Sequence, residues 1–311
     1  PLDDGGDTAG GGEALVTNYM GAGAPFDDRD GYIWMDGEML PWRSAKMHVL
    51  SHGLHYASAV FEGEKSYHGR VFELNKHSAR LHRSAELLDF KIPISVDALC
   101  EATQRVVDQF DHQELYVRPV AWRGSEMMGV SSQRCTVHLA IAAWPTPVPP
   151  SVDERMKGVS LDISKWLRTA PTMAPIQSKA AGLYMSGTLA KHAAEARGFD
   201  DALVFDYKGR VAEATTANVF FVIDGKICTP DTECILNGIT RQTVIRLAEG
   251  LGLEVIVRDL APSDLAAASE AFLTGTAAEV AAIRRIGEHA YAPGAITETL
   301  MTAYDRAIGR A

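Results

Sequence analysis

Lys179 sits in the segment APIQSKAAGLYMSG, among Ser178, Ala180, Ala181 and Gly182, so little side-chain bulk separates its amine from a flat ligand. A lysine that forms a Schiff base attacks as the neutral amine, which requires desolvation or a cationic neighbour. Taken alone, such a residue is more often a solvated surface lysine. Glu213 lies in GRVAEATTAN, expected just past a short strand, and is the one charged residue between Val211 and Ile223. An acid there could keep a pyridine nitrogen protonated and make the ring an electron sink; the alternative is an exposed strand-end carboxylate. In ELYVRPVAW, Tyr116 and Arg118 are two apart on a strand and face the same side. They suit a carboxylate or form a surface cross-strand pair.

Two segments look built for a phosphate. In LNGITRQTVIRLAEGLG a turn at Asn237-Gly238 runs into a helix, with Thr240 placed as its N-cap and Gly252 following its end. The first N–H groups of such a helix are unpaired, and its dipole adds positive potential. In FLTGTAAE a strand ends at Gly275-Thr276-Ala277, a bare backbone beside a hydroxyl. Each alone also reads as an ordinary turn; both are needed to wrap one phosphate. His48, His52 and His55 have helical spacing, but a zinc-protease helix needs Glu directly after its first His, where Val49 stands. They read as hydrogen-bonding histidines, and no metal is expected. The chain also lacks a G-x-x-x-x-G-K-[ST] loop, a convincing G-x-G-x-x-G and a G-x-S-x-G.

The elements that must position these residues follow from composition and periodicity. A chain of 311 residues, 46% hydrophobic and 23% charged, suits a soluble globular protein of two ordinary domains. A net charge of −10 argues against nucleic-acid and anionic-membrane partners. No apolar run approaches the ~20 residues of a membrane span, and no signal peptide is evident. Cys100, Cys135, Cys228 and Cys234 form no C-x-x-C pair and read as reduced core thiols of a cytoplasmic protein. Residues 1–29, opening PLDDGGDTAGGG, are expected to be a disordered extension.

WPTPVPPS places four prolines within six positions and predicts an extended linker. It divides the chain into 30–144, a linker at 145–155, and 156–311. The first part opens with a hairpin about Asp36-Gly37, then a second from Glu64 to Leu74 turning near His68-Gly69. Two amphipathic helices follow, from Asn75 (Leu81, Ala85 and Leu88 inward) and from Ser95 (Leu99, Val106 and Phe110 inward). Then come the strands LYVRPVAW and TVHLAIAAW. The second part mixes the strands ALVFD, NVFFVIDGKICT, LEVIV and AFLT with helices over 182–197, 240–250 and 296–308. Consecutive strands outnumber strand–helix alternation, which favours α+β over a doubly wound sheet.

In order along the chain, YIWMDGEMLPW, HVLSHGLHYASAVFEGEKSY, RLHRSAE, YVRPVAWRGSEMMGV, SKAAGLY, VAEATTANVFFV, NGITRQTVIRLAEGLG and FLTGTAAEV resemble the branched-chain aminotransferases, fold-type IV enzymes that use pyridoxal 5'-phosphate. The resemblance spans about residues 30–300. It implies a small N-terminal α/β domain and a larger C-terminal pseudo-barrel domain with the cofactor between them. By motif, Lys179 carries the cofactor, Tyr184 meets its phenolic oxygen and Glu213 its pyridine nitrogen. Arg80, Ile239, Thr240 and Thr276 hold its phosphate. Tyr56 and Phe61 line the substrate side, Lys65 falls where the family has Arg or Lys, and Tyr116, Arg118 and Ala277 serve substrate carboxylates. The GSEMMGV loop, ending at Val130, would enter a partner subunit's pocket, which makes at least a homodimer.

The implied reaction is ping-pong transamination of leucine, isoleucine and valine with 2-oxoglutarate, giving 2-oxo acids and L-glutamate. The partners are thus small amino acids and oxo acids. Another fold-type IV activity would keep Lys179 and Glu213: a D-amino-acid aminotransferase, an (R)-amine transaminase or an aminodeoxychorismate lyase. Departures from better-known members fall near the pocket: Ala214-Thr215-Thr216-Ala217-Asn218, Gly-Ser-Glu-Met before Met128, and Thr146-Pro147-Val148-Pro149. They bear on substrate range.

Overall fold

A computed structural model describes residues 24–310, apart from 112 and 148. The first sheet has seven strands: β1 (Tyr32–Met35), β2 (Glu38–Pro41), β3 (Ala59–Phe61), β4 (Glu64–Tyr67), β5 (Arg70–Val71), β6 (Leu115–Arg123) and β7 (Val137–Pro145). Both expected hairpins are present, with Asp36 (φ 50°) and His68 (φ 51°) left-handed ahead of their glycines. α1 (His52–Tyr56) precedes β3, and α2 (Leu74–Leu87) and α3 (Val96–Val107) lie against one face of the sheet. Leu81 and Ala85 of α2 and Leu99 and Val106 of α3 pack on Leu115, Val117, Leu139 and Ile141. The 3.6-residue period of the helices and the period of two in the strands bring these apolar faces together. Ser95 caps α3, accepting from the Ala98 N–H at 3.1 Å.

The second sheet begins after α4 (Val152–Arg155). It comprises β8 (Val159–Ile163), β9 (Asp201–Phe205), β10 (Val211–Ala214), β11 (Asn218–Ile223), β12 (Lys226–Thr229), β13 (Val255–Val257), β14 (Glu270–Gly275), β15 (Glu279–Ile286) and β16 (His289–Ala290). Its strand order β10-β9-β8-β15-β14-β11 closes on itself, because β10 also pairs with β11 through Glu213 and Asn218. Closure removes the free edges of those six strands. Leu161, Leu203, Val219, Phe221, Leu273 and Ile283 fill one face. Phe220 and Phe272 stack at 4.9 Å on the other, beneath α6 (Ile239–Gly250) and α8 (Ala295–Ala307). α5 (Met185–Glu195) and α7 (Asp264–Ala267) complete the helices. Both faces of β11 are buried, so NVFFVI is continuously apolar after its first residue. The α+β class and the barrel-like second sheet match the expected architecture.

Several elements differ from the sequence-based expectation. β8 and β15 lie outside the strands that the sequence predicts. VSLDI carries buried Ser160 and Asp162, and EVAAIRRI opens on a glutamate and contains two alanines, so tertiary burial overrides weak strand propensity. Glu213 lies within β10, not past a strand. After the proline-rich stretch, residues 152–155 form α4, capped by Ser151. Residues 24–29 fall in the expected disordered extension, yet Phe26 packs edge-on against Trp144 at 5.0 Å and its carbonyl accepts from Trp42 Nε1 at 2.6 Å. The rest of that extension, residues 1–23, lies outside the described residues. Among the described residues no helix is long and apolar enough to cross a membrane, and all four cysteines are free.

Glu64 is a buried carboxyl, and neither of its oxygens has a hydrogen-bonding partner among the described residues. Burial first, then the charge of Glu62, push its carboxyl well above the usual range, against the pull of Arg80. A carboxyl raised in the folded state contributes stability fully below its unfolded value and loses it as pH climbs toward the folded one. Glu64→Gln should therefore gain stability relative to wild type as pH rises from 5 to 8, by up to about 1.4 kcal/mol per pH unit. Urea unfolding at several pH values measures this, and a pH-independent difference would refute the assignment.

Candidate active site

Lys179 follows a turn in which the Ser178 Oγ donates to the Pro175 carbonyl at 2.6 Å. Its backbone is fixed from the first sheet and α2: its N–H donates to Ser84 Oγ at 2.9 Å, and its carbonyl accepts from the Phe61 N–H at 3.1 Å. The side chain is thereby aimed between two rings, with Nζ 5.2 Å from the centroid of Phe61 and 5.5 Å from that of Tyr184. It donates to the Tyr184 hydroxyl at 3.0 Å. Lys179 stands where two cavities adjoin. Lys179, Tyr184, Thr215, Thr216, Ala217 and Thr276 line both.

The first cavity is polar. Glu213 enters it from β10, with Arg168 Nε 3.1 Å from its Oε1 and Asn218 Nδ2 donating to its Oε2 at 3.1 Å. Burial raises the Glu213 carboxyl, while Arg168 and then Lys179 oppose the rise. Across the cavity Arg80 projects from α2, its Nε and Nη2 donating to the two oxygens of buried Glu62 at 2.7 and 2.8 Å. His77 Nδ1 lies 2.7 Å from the same carboxylate. Burial alone would raise Glu62, but Arg80 and then His77 hold it well below the usual carboxylate range.

The N-terminus of α6 opens onto this cavity through Gly238, Ile239 and Thr240. Its cap is Gly238, not the expected Thr240, which is the helix's second residue. That cap must be glycine, since a Cβ on residue 238 would lie 2.2 Å from Asn218 Oδ1. A glycine cap offers no side-chain acceptor, so the first-turn N–H groups stay available to an anion. Thr276 lines the same cavity, as does Thr274, whose buried hydroxyl has no partner among the described residues.

The second cavity, about 420 Å³, is lined by Phe61, Gly63, Tyr116, Arg118, Ala277 and Ala278 among others. Arg118 Nη2 donates to the Tyr116 hydroxyl at 3.1 Å, and its guanidinium lies 4.7 Å over the Phe61 ring. Tyr116 and Arg118 are thus a neighbouring pair on one strand face. A cavity of this size, mostly apolar and with Arg118 among its cations, suits a small amphiphilic ligand.

Three expected residues line neither cavity. Lys65 is almost wholly buried, its Nζ 2.6 Å from Glu279 and 3.3 Å from Glu114; the carboxylate of a distant strand draws it away from the substrate side. Tyr56 is 45% exposed and donates to the Met128 carbonyl at 2.9 Å. Val130 is 82% exposed, at the end of the loop that the Tyr56 bond secures. His52 places Nδ1 2.6 Å from Ser58 Oγ and Nε2 3.0 Å from the Gly129 carbonyl, and His55 Nε2 is 2.8 Å from the Val49 carbonyl. The His48 Nδ1 accepts from the Leu50 N–H.

Sequence reasoning missed Arg168, Asn218, Glu62 and His77. Arg168 belongs to an irregular stretch with one isolated bridge to Asp206, so no periodicity marks it. Glu62 could have been found, since a buried arginine in the expected phosphate position requires a carboxylate nearby.

The amino-transferase class IV family model matches residues 59–286. The chain is 42% identical over 249 residues to a "Probable branched-chain-amino-acid aminotransferase" of Rickettsia conorii, covering 80% of this chain and 84% of that protein. It is 37% identical over 261 residues to the branched-chain-amino-acid aminotransferase of Escherichia coli K12, with 82% and 84% covered. The solved T.th. branched-chain amino acid aminotransferase, complexed with N-(5'-phosphopyridoxyl)-L-glutamate, superposes with TM-score 0.86 at 37% identity, over 91% of this chain and 96% of that one. Its pyridoxamine 5'-phosphate form gives 0.88. With the ordered motifs, the closed barrel and the lysine at the junction of two cavities, this chain belongs to the class IV aminotransferases, in the branched-chain-amino-acid aminotransferase family.

Proposed function

We propose that the chain transaminates branched-chain L-amino acids with 2-oxoglutarate, using pyridoxal 5'-phosphate held in the first cavity. The observation that carries this reading is Lys179 Nζ at the seam of the two cavities, 3.0 Å from the Tyr184 hydroxyl. The residues present fit the cofactor. A buried carboxylate suits a ring nitrogen, the uncapped α6 N-terminus and Arg80 suit a phosphate, and the orphaned Thr274 hydroxyl marks a polar group awaiting a partner. When bound, the cofactor supplies an aldehyde for the amino group and a cationic ring that withdraws electrons from the substrate Cα.

The chain's own residues do the rest. Lys179 Nζ would hold the cofactor's aldehyde carbon and stands where it could move the substrate Cα proton. Tyr184 orients that nitrogen. Glu213, bonded by Arg168 and Asn218, would pair with the ring nitrogen and keep it protonated. Ile239, Thr240, Thr276 and Arg80 fix the phosphate, so the ring cannot turn away from Lys179. In the second cavity Phe61 meets the aliphatic side chain, while Tyr116, Arg118 and the turn at Ala277 meet carboxylates. The same residues serve both half-reactions in turn, which gives ping-pong kinetics. A hydrophobic pocket separates neighbours differing by one methylene only ~10–200-fold, so leucine, isoleucine and valine should all be used.

The same reading takes 30–144 and 156–311 as two domains joined at 145–155, in a cytoplasmic enzyme whose free cysteines suit a reducing compartment. It also makes the enzyme at least a homodimer. Val49 (68% exposed), Leu54, Tyr56 and Val130 are exposed apolar residues on α1 and its flanking loops, and bonds from Tyr56 and His52 fasten the 124–130 loop to α1. A second copy is the occupant this surface suits, with the loop completing its neighbour's second cavity. Equilibrium sedimentation should give a dimer or a multiple of one; a monomer at micromolar concentration would end this part of the reading.

Initial rates with L-leucine, L-isoleucine, L-valine and D-alanine against 2-oxoglutarate test the function. All three L-substrates should turn over, and Lys179→Ala should lose at least ~10³ of the rate. Turnover of D-alanine with none of L-leucine would overturn the substrate assignment. Gly238→Ala drives a Cβ toward Asn218 Oδ1; it should weaken cofactor binding by about tenfold or more while the fold is retained. Equilibrium dialysis reads this directly, and unchanged affinity would remove Gly238 from the phosphate site.

A further inference from the structure

Lys65 lies behind the substrate-side cavity, in a buried charge cluster. Besides Lys65, Glu279 Oε1 accepts from the Tyr67 hydroxyl at 2.8 Å. From the chain's last residues, Arg310 brackets Glu279 with Nη1 at 2.6 Å and Nη2 at 2.8 Å. It also reaches both oxygens of Glu114 at 3.1 and 3.0 Å, and Asp305 at 3.0 Å. Arg155 of α4 adds an ion pair to Asp305. Cations and carboxylates from distant segments are matched here.

The segments that meet in this cluster run directly into the cavity walls. Lys65 is the cross-strand partner of Tyr116 and lies two residues beyond Gly63. Glu114 precedes Tyr116 by two residues. Glu279 closes the β14–β15 hairpin, whose tip, Thr276, Ala277 and Ala278, lines the second cavity. Glu279 has a φ of 52°, in the left-handed region that glycine favours at the end of a three-residue hairpin loop. An ordinary side chain stays there only when its surroundings hold it. Burial would raise its carboxyl, but Arg310 and Lys65 hold it at about 2, so it remains an anion at working pH.

We infer that Glu279 is a positioning residue: Arg310 and Lys65, by clamping its carboxylate, hold it in the left-handed backbone conformation that fixes the 276–278 turn against the Tyr116 wall and so sets the substrate-side cavity. Stability alone is a poor account of such a cluster, because buried ion pairs roughly break even against apolar packing. Glu279→Ala and Glu279→Gly remove the same carboxylate, but only glycine keeps the left-handed backbone without help. A merely structural ion pair would be lost equally in both.

The inference uses the transaminase reading for its kinetic measurement, and amide hydrogen exchange over residues 274–280 is read independently of it. Glu279→Ala should raise KM for L-leucine about tenfold with kcat within about threefold, and speed exchange in that peptide. Glu279→Gly should return both toward wild type although both variants melt earlier. A glycine variant as impaired as alanine in KM and exchange, or two variants with wild-type values, overturns the proposal. Should Glu279→Ala fail to fold, Arg310→Ala decides: KM and exchange should rise, and unchanged values sink the proposal. A wild-type enzyme without leucine turnover would overturn the functional reading and leave the exchange comparison standing.

Discussion

A carboxylate sealed into the wall of an apolar barrel must be partnered, and Glu213 imposes that demand on everything around it. Arg168 answers on one oxygen and Asn218 on the other. Asn218 is also the strand partner of Glu213, so the pair that closes the barrel and the pair that holds the carboxylate are the same two residues. The second Nδ2 contact of Asn218, to the Leu236 carbonyl at 2.9 Å, fixes its amide plane. Its Oδ1 then occupies the space a Cβ would need at residue 238. Glycine is required there, the helix loses a side-chain cap, and its first N–H groups are left free for the proposed phosphate site. The sites proposed for the ring nitrogen and for the phosphate are two ends of one chain of contacts.

This linkage explains which parts of the site are legible in the sequence. Lys179 and Glu213 are marked by their small, uncharged neighbourhoods and by the order of the motifs around them. Tyr116 and Arg118 are marked by a period of two, which holds because β6 is paired without a break along nine residues. Thr240 reads as the cap because threonine is a good cap in isolation. The packing of Asn218, from another strand, decides otherwise. Lys65 reads as a substrate-side residue because it falls where the resembling family has Arg or Lys. The carboxylate that claims it lies 214 residues further on, and no local spacing reports a partner at that distance. Of the fold, the amphipathic helices and apolar strands can be read. β15 cannot, since Glu279, Ala281 and Ala282 are residues of weak strand propensity that become strand only through burial.

The two sheets contribute differently to the chemistry. The barrel supplies fixed groups: Glu213, the α6 N-terminus and the hairpin at Thr276. The first sheet supplies the counterface, Phe61, Gly63, Tyr116 and Arg118, and with Ser84 of α2 it grips the lysine segment through the Phe61 N–H. Lys179 thus belongs to the second half by sequence and to the first by its backbone bonds. A reactive amine tied to both walls holds its position relative to groups on each, the condition under which proximity contributes most to rate.

On the proposed function, one cavity receives an aliphatic side chain in one half-reaction and a second carboxylate in the other, and so needs a cation that is tolerable when unpaired. Arg118 meets this requirement through ring faces. Its guanidinium lies 4.7 Å over Phe61 and 5.1 Å over Tyr116, contacts worth roughly 0.5–2 kcal/mol each. With an aliphatic ligand, the rings and the Tyr116 hydroxyl satisfy part of its charge, leaving Nε buried without a partner among the described residues. A carboxylate then gains the remainder without rearrangement of the wall. The phenol reaches Arg118 only because residue 63 is glycine, where a Cβ would stand 2.2 Å from the Tyr116 hydroxyl. Substrate breadth therefore rests on an absent side chain in β4's approach as much as on the arginine itself.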